Sequence, residues 1–300
     1  MEWVKCLKEA IAFIEAHMLE PIGPGEVAKA VHISPFYLQK GFQLITGYSI
    51  SDYIRCRRLY LAAMDLLAGE EKVIHIAYKY CYQTPESFTK AFTRFHGFPP
   101  SQIKKERMAV KPFLPLKVKI LIQGGDKVDY IIEKMDSFQV IGFSEEIPME
   151  RGYELCPEFW SRLRERYFLP LWSGKPWENH MERVIVECNI GMYGVCIESK
   201  ENPKAFTYIV GGRYDGRPIP EGLRVAEIPA ANWAKFRAIG PLPGALQTLN
   251  SQIFQEWLPG NEKYDLAFPI NIEFYTAGDS GSGYESGIWL PVTEKERDSL

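Results

Sequence analysis

Lys40 and Lys90 stand at the same place in two stretches written to one template. The first runs Ser34-Pro35-Phe36-Tyr37-Leu38-Gln39-Lys40-Gly41-Phe42 and closes at Gly47. The second runs Thr84-Pro85-Glu86-Ser87-Phe88-Thr89-Lys90-Ala91-Phe92 and closes at Gly97. Each opens with a hydroxyl residue able to accept a hydrogen bond from an early helical N–H. Each has Pro at the first helical position, where no N–H is missed, and a Gly suited to a left-handed stop. The template predicts two helices of about three turns. Leu38 with Phe42, and Phe88 with Phe92, form i, i+4 apolar pairs facing inward, and the two lysines face outward. Ammonium groups on outward helix faces are chemistry for an anion, and two such faces suggest two reading heads for one duplex.

A second constellation lies in Asn271-Ile272-Glu273-Phe274-Tyr275, a stretch that alternates as a strand does. Ile272 and Phe274 share one face; Glu273 and Tyr275 share the other. Either the second face meets water, or it lines a pocket holding one carboxylate among aromatics. Trp233, Tyr193, Tyr208 and Trp160 would then supply walls. Such a site attracts an organic cation by cation–π and Coulomb terms. Enzyme chemistry finds no support: the five histidines (His17, His32, His75, His96, His180) have no metal-ligand spacing. Gly211-Gly212 and Gly278–Gly283 lack the phosphate-loop pattern and read as hairpin loops. No base is paired with a serine nucleophile. The reading predicts no catalytic residue, no metal and no cofactor.

The lysine-bearing helices need a mount. Glu26–Val31 and Val73–Tyr80 are short helical patterns, three and four residues ahead of the next helix. Two helices joined by so tight a turn form a helix-turn-helix, whose second helix enters the major groove. Between the units, Ile50–Ala68 carries rows Tyr53, Tyr60, Leu67 and Ile54, Leu61, Ala68, and predicts one continuous helix. It would span roughly 30 Å, near the about 34 Å of a DNA turn.

Residues Trp3–Lys105 resemble the AraC/XylS-type DNA-binding domain. The resemblance rests on EVAKAVHISPFYLQKGFQLITG, YIRCRRLYLAAMDLL and IAYKYCYQTPESFTKAFTRFHGFPPSQIKK. It implies a seven-helix, two-headed fold that binds promoter DNA and works with RNA polymerase. It implies that Phe36, Gln39 and Lys40 of the first head, and Pro85, Glu86, Thr89 and Lys90 of the second, face the DNA. Cys81 stands where the family usually has Gly, and Lys90 and Lys104 where it often has Arg. Lysine lacks the bidentate fork of arginine, so the second head is suited to positioning on phosphates. Glu86 is open to two roles, accepting from a cytosine amino group or balancing the helix dipole.

Composition agrees. The 300 residues suggest two domains. Through Pro112 there are 15 Lys and Arg against 11 Asp and Glu, a net of +4; the remainder carries 20 against 27, a net of −7. The first part is the one that tolerates a polyanion. No apolar run reaches membrane length, and the N-terminus reads as a first helix and not a signal peptide, so a cytoplasmic protein is expected. The six cysteines (Cys6, Cys56, Cys81, Cys156, Cys188, Cys196) are scattered without a C-x-x-C pair and read as free thiols. With two heads on one chain, a monomer suffices.

A proline-marked stretch, residues 111–117, reads as an extended linker between a DNA-binding domain at 1–110 and a second domain at 118–300. Beyond it strands are predicted at 136–147, 183–199, 205–210, 223–228, 232–239, 269–276 and 286–291, with helices at 157–168 and 244–257. The order is a β-α-β-β unit used twice, an α+β domain whose two units share one sheet or form two sheets around a cleft. Residues Val118–Val292 resemble the GyrI-like effector-binding domain, through FQVIGFSEEI, PEFWSRL, NIGMYGVCIE, FTYIVGG, VAEIPAANWAKFRAIGPL, INIEFYTAG and GIWLPV. This implies a cleft between repeats for a small lipophilic or cationic effector, with a Glu at the position of Glu273. The fold class expected is therefore an all-α double helix-turn-helix domain followed by an α+β GyrI-like domain. The function expected is an effector-responsive, sequence-specific transcription regulator. The alternatives are a GyrI-like ligand-sequestering protein or hydrolase carrying a DNA-binding module, and an interaction protein whose second domain binds another protein.

Overall fold

The computed structural model describes residues 3–69, 71–103, 109–118, 128–278 and 281–295. Lys104, Asp279 and Ser280, named above, lie outside them. By backbone contacts the chain divides into two compact units, Glu2–Ile33 with Thr46–Gln123, and Ser34–Ile45 with Gly124–Leu300.

The chain opens with helices α1 (Trp3–Ala16), α2 (Pro24–Ala30), α3 (Pro35–Thr46), α4 (Ile50–Ala68), α5 (Val73–Lys79) and α6 (Pro85–His96). α3 up to Ile45 belongs to the second unit; the others belong to the first. In the helical unit, Ser49 caps α4 by accepting from the Asp52 N–H at 3.0 Å, and Gly69 stops it at φ 95°. α4 is continuous as expected, but its buried stripe runs Tyr53, Cys56, Leu59, Ala63, Leu66. Leu67, placed in a core row by the heptad count, is 47% exposed, because a straight helix follows 3.6 residues per turn and drifts off a heptad row. Arg57, buried on α4, is held by Glu15 of α1 at 2.7 Å. Thr84 caps α6 by accepting from the Ser87 N–H at 3.1 Å, and Gly97 closes it at φ 88°. Phe88 and Phe92, both fully buried, pack with Leu59, Leu66, Ile76 and Tyr80 in one core.

Residues 111–117 are extended and fastened to the helical unit. The Lys111 N–H donates to His96 Nδ1 at 3.2 Å, Arg57 donates to the Phe113 carbonyl, and the Leu116 N–H donates to the Tyr53 hydroxyl at 3.2 Å.

The second unit is built on a nine-stranded antiparallel sheet: β1 (Tyr130–Met135), β2 (Phe138–Pro148), β3 (Tyr193–Glu198), β4 (Ala205–Arg213), β5 (Arg224–Ile228), β6 (Ala231–Ile239), β7 (Tyr264–Leu266), β8 (Ile270–Tyr275) and β9 (Glu285–Glu294). The order is β1-β6-β9-β8-β3-β4-β2-β5, with β7 beside β9. Reading outward from the central β8–β3 pair, β9, β6, β1 on one side mirror β4, β2, β5 on the other. The β-α-β-β duplication thus forms one sheet, with the two copies meeting at β8 and β3.

The helical segments α7 (Gly152–Leu163), α8 (Leu169–Trp172) and α9 (His180–Glu187) follow β2, and α10 (Gly244–Gln252) and α11 (Leu258–Gly260) follow β6. π-turns Arg164–Phe168 and Ile253–Trp257 join α7 to α8 and α10 to α11. Each π-turn is followed by a Leu-Pro, Leu169-Pro170 and Leu258-Pro259, whose proline has no N–H to offer the regular ladder. This shared device is a mark of the duplication that the strand pattern does not reveal.

Two expectations are corrected here. The segment 183–199, read as one strand, divides into α9 and β3. Asn179 accepts from the Glu182 N–H at 2.9 Å and starts a helix that buries Val184 and Ile185, so a cap overrides the β-branched run. Gly211 and Gly212, read as a hairpin loop, lie inside β4. A Cβ on Gly211 would stand 2.8 Å from the Ile141 carbonyl, and one on Gly212 would collide with the Cys188 carbonyl, so both permit close backbone approach. Among the described residues no helix is long and apolar enough to cross a membrane.

Candidate nucleic-acid interface and effector site

The candidate nucleic-acid interface of the helical unit is the outer face of α6. Its cap and closing glycine fix the helix, Phe88 and Phe92 anchor its inner side, and Glu86 and Lys90 are left exposed, with Pro85 and Thr89 half-buried between. Thr89 donates its hydroxyl to the Pro85 carbonyl at 2.8 Å. The turn before α6 carries Cys81 at φ 62°, and the turn before α3 carries His32 at φ 54°. A left-handed residue is what glycine tolerates best, which gives the family's usual Gly at Cys81 a physical reason.

In the sheet unit, period-two alternation sorts the predicted aromatic residues onto two faces. Tyr193 pairs with Phe274, whereas Gly194 pairs with Glu273. Tyr193 and Trp233 therefore lie on the face of Ile272, in an apolar core with Phe138, Val195 and Ile228. The opposite face brings together Glu273, Tyr275, Tyr208 and Trp160. Glu273 Oε2 accepts from the Tyr208 hydroxyl at 2.6 Å and the Tyr275 hydroxyl at 2.8 Å. Trp160 Nε1 of α7 donates to the Tyr208 oxygen at 2.8 Å, and its ring meets Tyr275 edge-on at 4.7 Å. Of the six residues foreseen for a pocket, four converge and two do not.

Gly194 is the member that composition does not betray. A Cβ there would lie 2.5 Å from the Tyr208 oxygen and 2.7 Å from Glu273 Oε2. The absent side chain makes room for the carboxylate–phenol cluster at the junction of the two repeats. α7 covers this face through Trp160, and α10 joins it where Asn250 donates to the Tyr153 hydroxyl.

Burial first, and then the Glu273 charge, hold the Tyr208 and Tyr275 hydroxyls well above the ordinary phenol range. Both stay protonated and act as donors. Burial likewise pushes Tyr153 up to about 12, with the Glu273 charge adding to it. Cys156 and Cys196 are raised far above the usual thiol value, by burial foremost and by Glu273 as well, which keeps them unreactive thiols. No group of three or more metal-ligating side chains occurs among the described residues. The arrangement presents a half-buried carboxylate within an aromatic enclosure, suited to a positively charged organic group.

α3 belongs to this same unit. Its Phe36 and Gln39 are buried there: the Phe36 N–H donates to Glu198 at 2.9 Å and Gln39 donates to the Pro203 carbonyl at 2.8 Å. Lys40 Nζ donates to Asn271 Oδ1 at 3.3 Å and stands 5.7 Å from the centroids of both Phe36 and Phe254.

Helix-turn-helix elements with a basic outer helix thus stand in one chain with a duplicated sheet that meets at a carboxylate, the two parts expected of a DNA-binding domain and an effector-binding domain. The comparisons agree. A helix-turn-helix domain family matches residues 27–106, and the family described as integron-associated effector binding protein matches residues 131–292. The regulatory protein SoxS of Escherichia coli K12 is 35% identical over 104 residues, covering 35% of this chain and 97% of SoxS. The HTH-type transcriptional regulator YbfP of Bacillus subtilis is 34% identical over 100 residues, 33% of this chain and 34% of YbfP, so the chain spans about a third of that relative. A solved integron cassette protein from Vibrio cholerae shares 16% identity with a TM-score of 0.39, over 55% of this chain and 95% of that one. The chain belongs to the AraC-type helix-turn-helix regulators and, through residues 131–292, to the integron-associated effector binding protein family.

Proposed function

We propose that this protein is a cytoplasmic transcription regulator that binds promoter DNA sequence-specifically and answers to a small lipophilic cation, acting with RNA polymerase. The domains are 1–110 for DNA, 111–117 as linker and 118–300 for the effector. DNA contacts come from Pro85, Glu86, Thr89 and Lys90 on α6, and from Phe36, Gln39 and Lys40 on α3. The effector is held at Glu273, Tyr275, Tyr208 and Trp160, with Tyr193 and Trp233 supporting the sheet from its other face.

The observation that carries this reading is Glu273 itself. Two phenol donors orient one oxygen, while its second oxygen takes no hydrogen bond among the described residues. A carboxylate so fixed beside aromatic faces favours a desolvated cation. Calorimetric titration of the full chain with tetraphenylphosphonium tests the effector class, and a salt series of duplex-DNA binding tests the partner. Saturable cation binding and a steep loss of DNA affinity with salt are expected. Absence of both contradicts the reading.

A further inference from the structure

The two copies of the lysine-bearing helix meet different surroundings. Glu86 and Lys90 of α6 are exposed, whereas Phe36, at the position of Glu86, is 2% exposed and Gln39, at the position of Thr89, is 6% exposed. The cover is the effector face of the sheet unit. Glu198 of β3 accepts from the Phe36 N–H at 2.9 Å and the Ser34 hydroxyl at 3.2 Å, placing a carboxylate at the positive end of the helix. A DNA phosphate would seek that same end. Phe36 packs edge-on against Phe206 at 5.9 Å. The Tyr37 hydroxyl lies 2.8 Å from the Ile270 carbonyl and 2.9 Å from that of Phe268. Near the other end of α3, Gln255 donates to the Leu44 carbonyl at 2.8 Å.

Lys40 completes the fit. Its ammonium bonds Asn271, which shares a strand face with Glu273, and stands beside the Phe36 and Phe254 rings. A cation among aromatics on the Glu273 face is what the effector reading asks of a ligand, and here the chain supplies one. An apolar Phe36 on an outward helix face is also explained, since docking removes it from water.

We infer that α3 is an internal ligand of the effector face: docked there its DNA-facing side chains are covered, and a lipophilic cation entering beside Glu273 displaces Lys40 and releases them. This deepens the proposed function and rests on it for the identity of the Glu273 site. Two monocations on one strand face, one at Asn271 and one at Glu273, repel each other, and by linkage whatever weakens docking must strengthen both DNA and cation binding.

The experiment uses the full chain, a mixed-sequence DNA duplex at low salt, and tetraphenylphosphonium as the cation. Hydrogen exchange of the α3 amides and DNA anisotropy are read together. Glu198→Ala and Gln255→Ala loosen docking from outside the reading face and outside the Glu273 cluster. Glu201→Ala, an exposed neighbour, controls for the change in charge. The cation is expected to deprotect α3 and tighten DNA binding roughly tenfold, and Glu198→Ala to do much of this alone while Glu201→Ala does not. Unchanged α3 exchange in the presence of bound cation and in both docking variants overturns the inference. DNA and cation binding that are each present but independent also overturn it, while leaving the regulator reading intact. Loss of all DNA binding contradicts the regulator reading instead, and α3 exchange in Glu198→Ala still decides the docking.

Discussion

Gly194 faces Glu273 across the β3–β8 ladder, and a methyl group on Gly194 would stand 2.7 Å from the carboxylate oxygen. The carboxylate cluster therefore exists only because its partner strand carries no side chain at that point. Gly194→Ala is expected to destabilise the sheet unit by about 1–3 kcal/mol through overpacking. Cation affinity is expected to fall with it. Denaturant unfolding and calorimetry check both; a variant with unchanged stability and affinity contradicts the role given to Gly194.

Glu273→Gln keeps the shape of the side chain and removes its charge. Affinity for tetraphenylphosphonium is expected to weaken by about 1–3 kcal/mol. Tyr275→Phe, which deletes one of the two phenol donors, is expected to have a smaller effect in the same direction. Equal affinities in wild type and Glu273→Gln would remove the carboxylate from the site.

His96 couples the helical unit to pH. Its Nδ1 accepts from the Lys111 N–H, so its other nitrogen, 3.1 Å from the Leu59 carbonyl, carries the proton. Burial first, and the nearby Lys111 charge, hold its pKa below the ordinary histidine value, against the pull of the Leu59 carbonyl. Below about pH 6.5 the unfolded chain takes up a proton that the folded chain resists, so the stability contributed by neutral His96 is whole above that pH and declines as pH falls. Thermal unfolding from pH 7.5 to 5 is expected to show a shallower acid slope in His96→Gln. Identical slopes would count against the assignment.

Cys81 holds a left-handed backbone that glycine adopts without strain. Cys81→Gly is expected to stabilise the helical unit by about 0.5–1 kcal/mol, the relief being partly offset by glycine's greater freedom when unfolded. The midpoint of urea unfolding measures it, and a loss of stability would show that the Cys81 contact with the Leu19 carbonyl at 3.3 Å matters more.

Caps and periodicity made much of the fold legible. Thr84-Pro85 with Gly97, and Ser34-Pro35 with Gly47, mark α6 and α3 because local hydrogen bonding dictates where a helix starts and stops. The alternation in Asn271–Tyr275 likewise placed Glu273 and Tyr275 on one face. It could not say which face Tyr193 and Trp233 would share, because that depends on register between strands far apart in sequence. Gly194 carries no signal of its own until Glu273 is known to lie opposite. The run Arg183–Glu187 reads as strand by its β-branched residues, and only the Asn179 cap turns it into helix. Phe36, Gln39 and Lys40 read as an outward face because the residues that cover them lie 162 to 231 residues further along the chain.

The salt dependence of DNA binding, in wild type and Lys90→Ala, tests the central claim most directly. Lys90 is exposed on α6 and assigned to the phosphate backbone, so its removal is expected to weaken binding to every sequence and lower the log–log salt slope by about 1. A salt slope and affinity unchanged by Lys90→Ala would contradict α6 as a DNA-contacting helix.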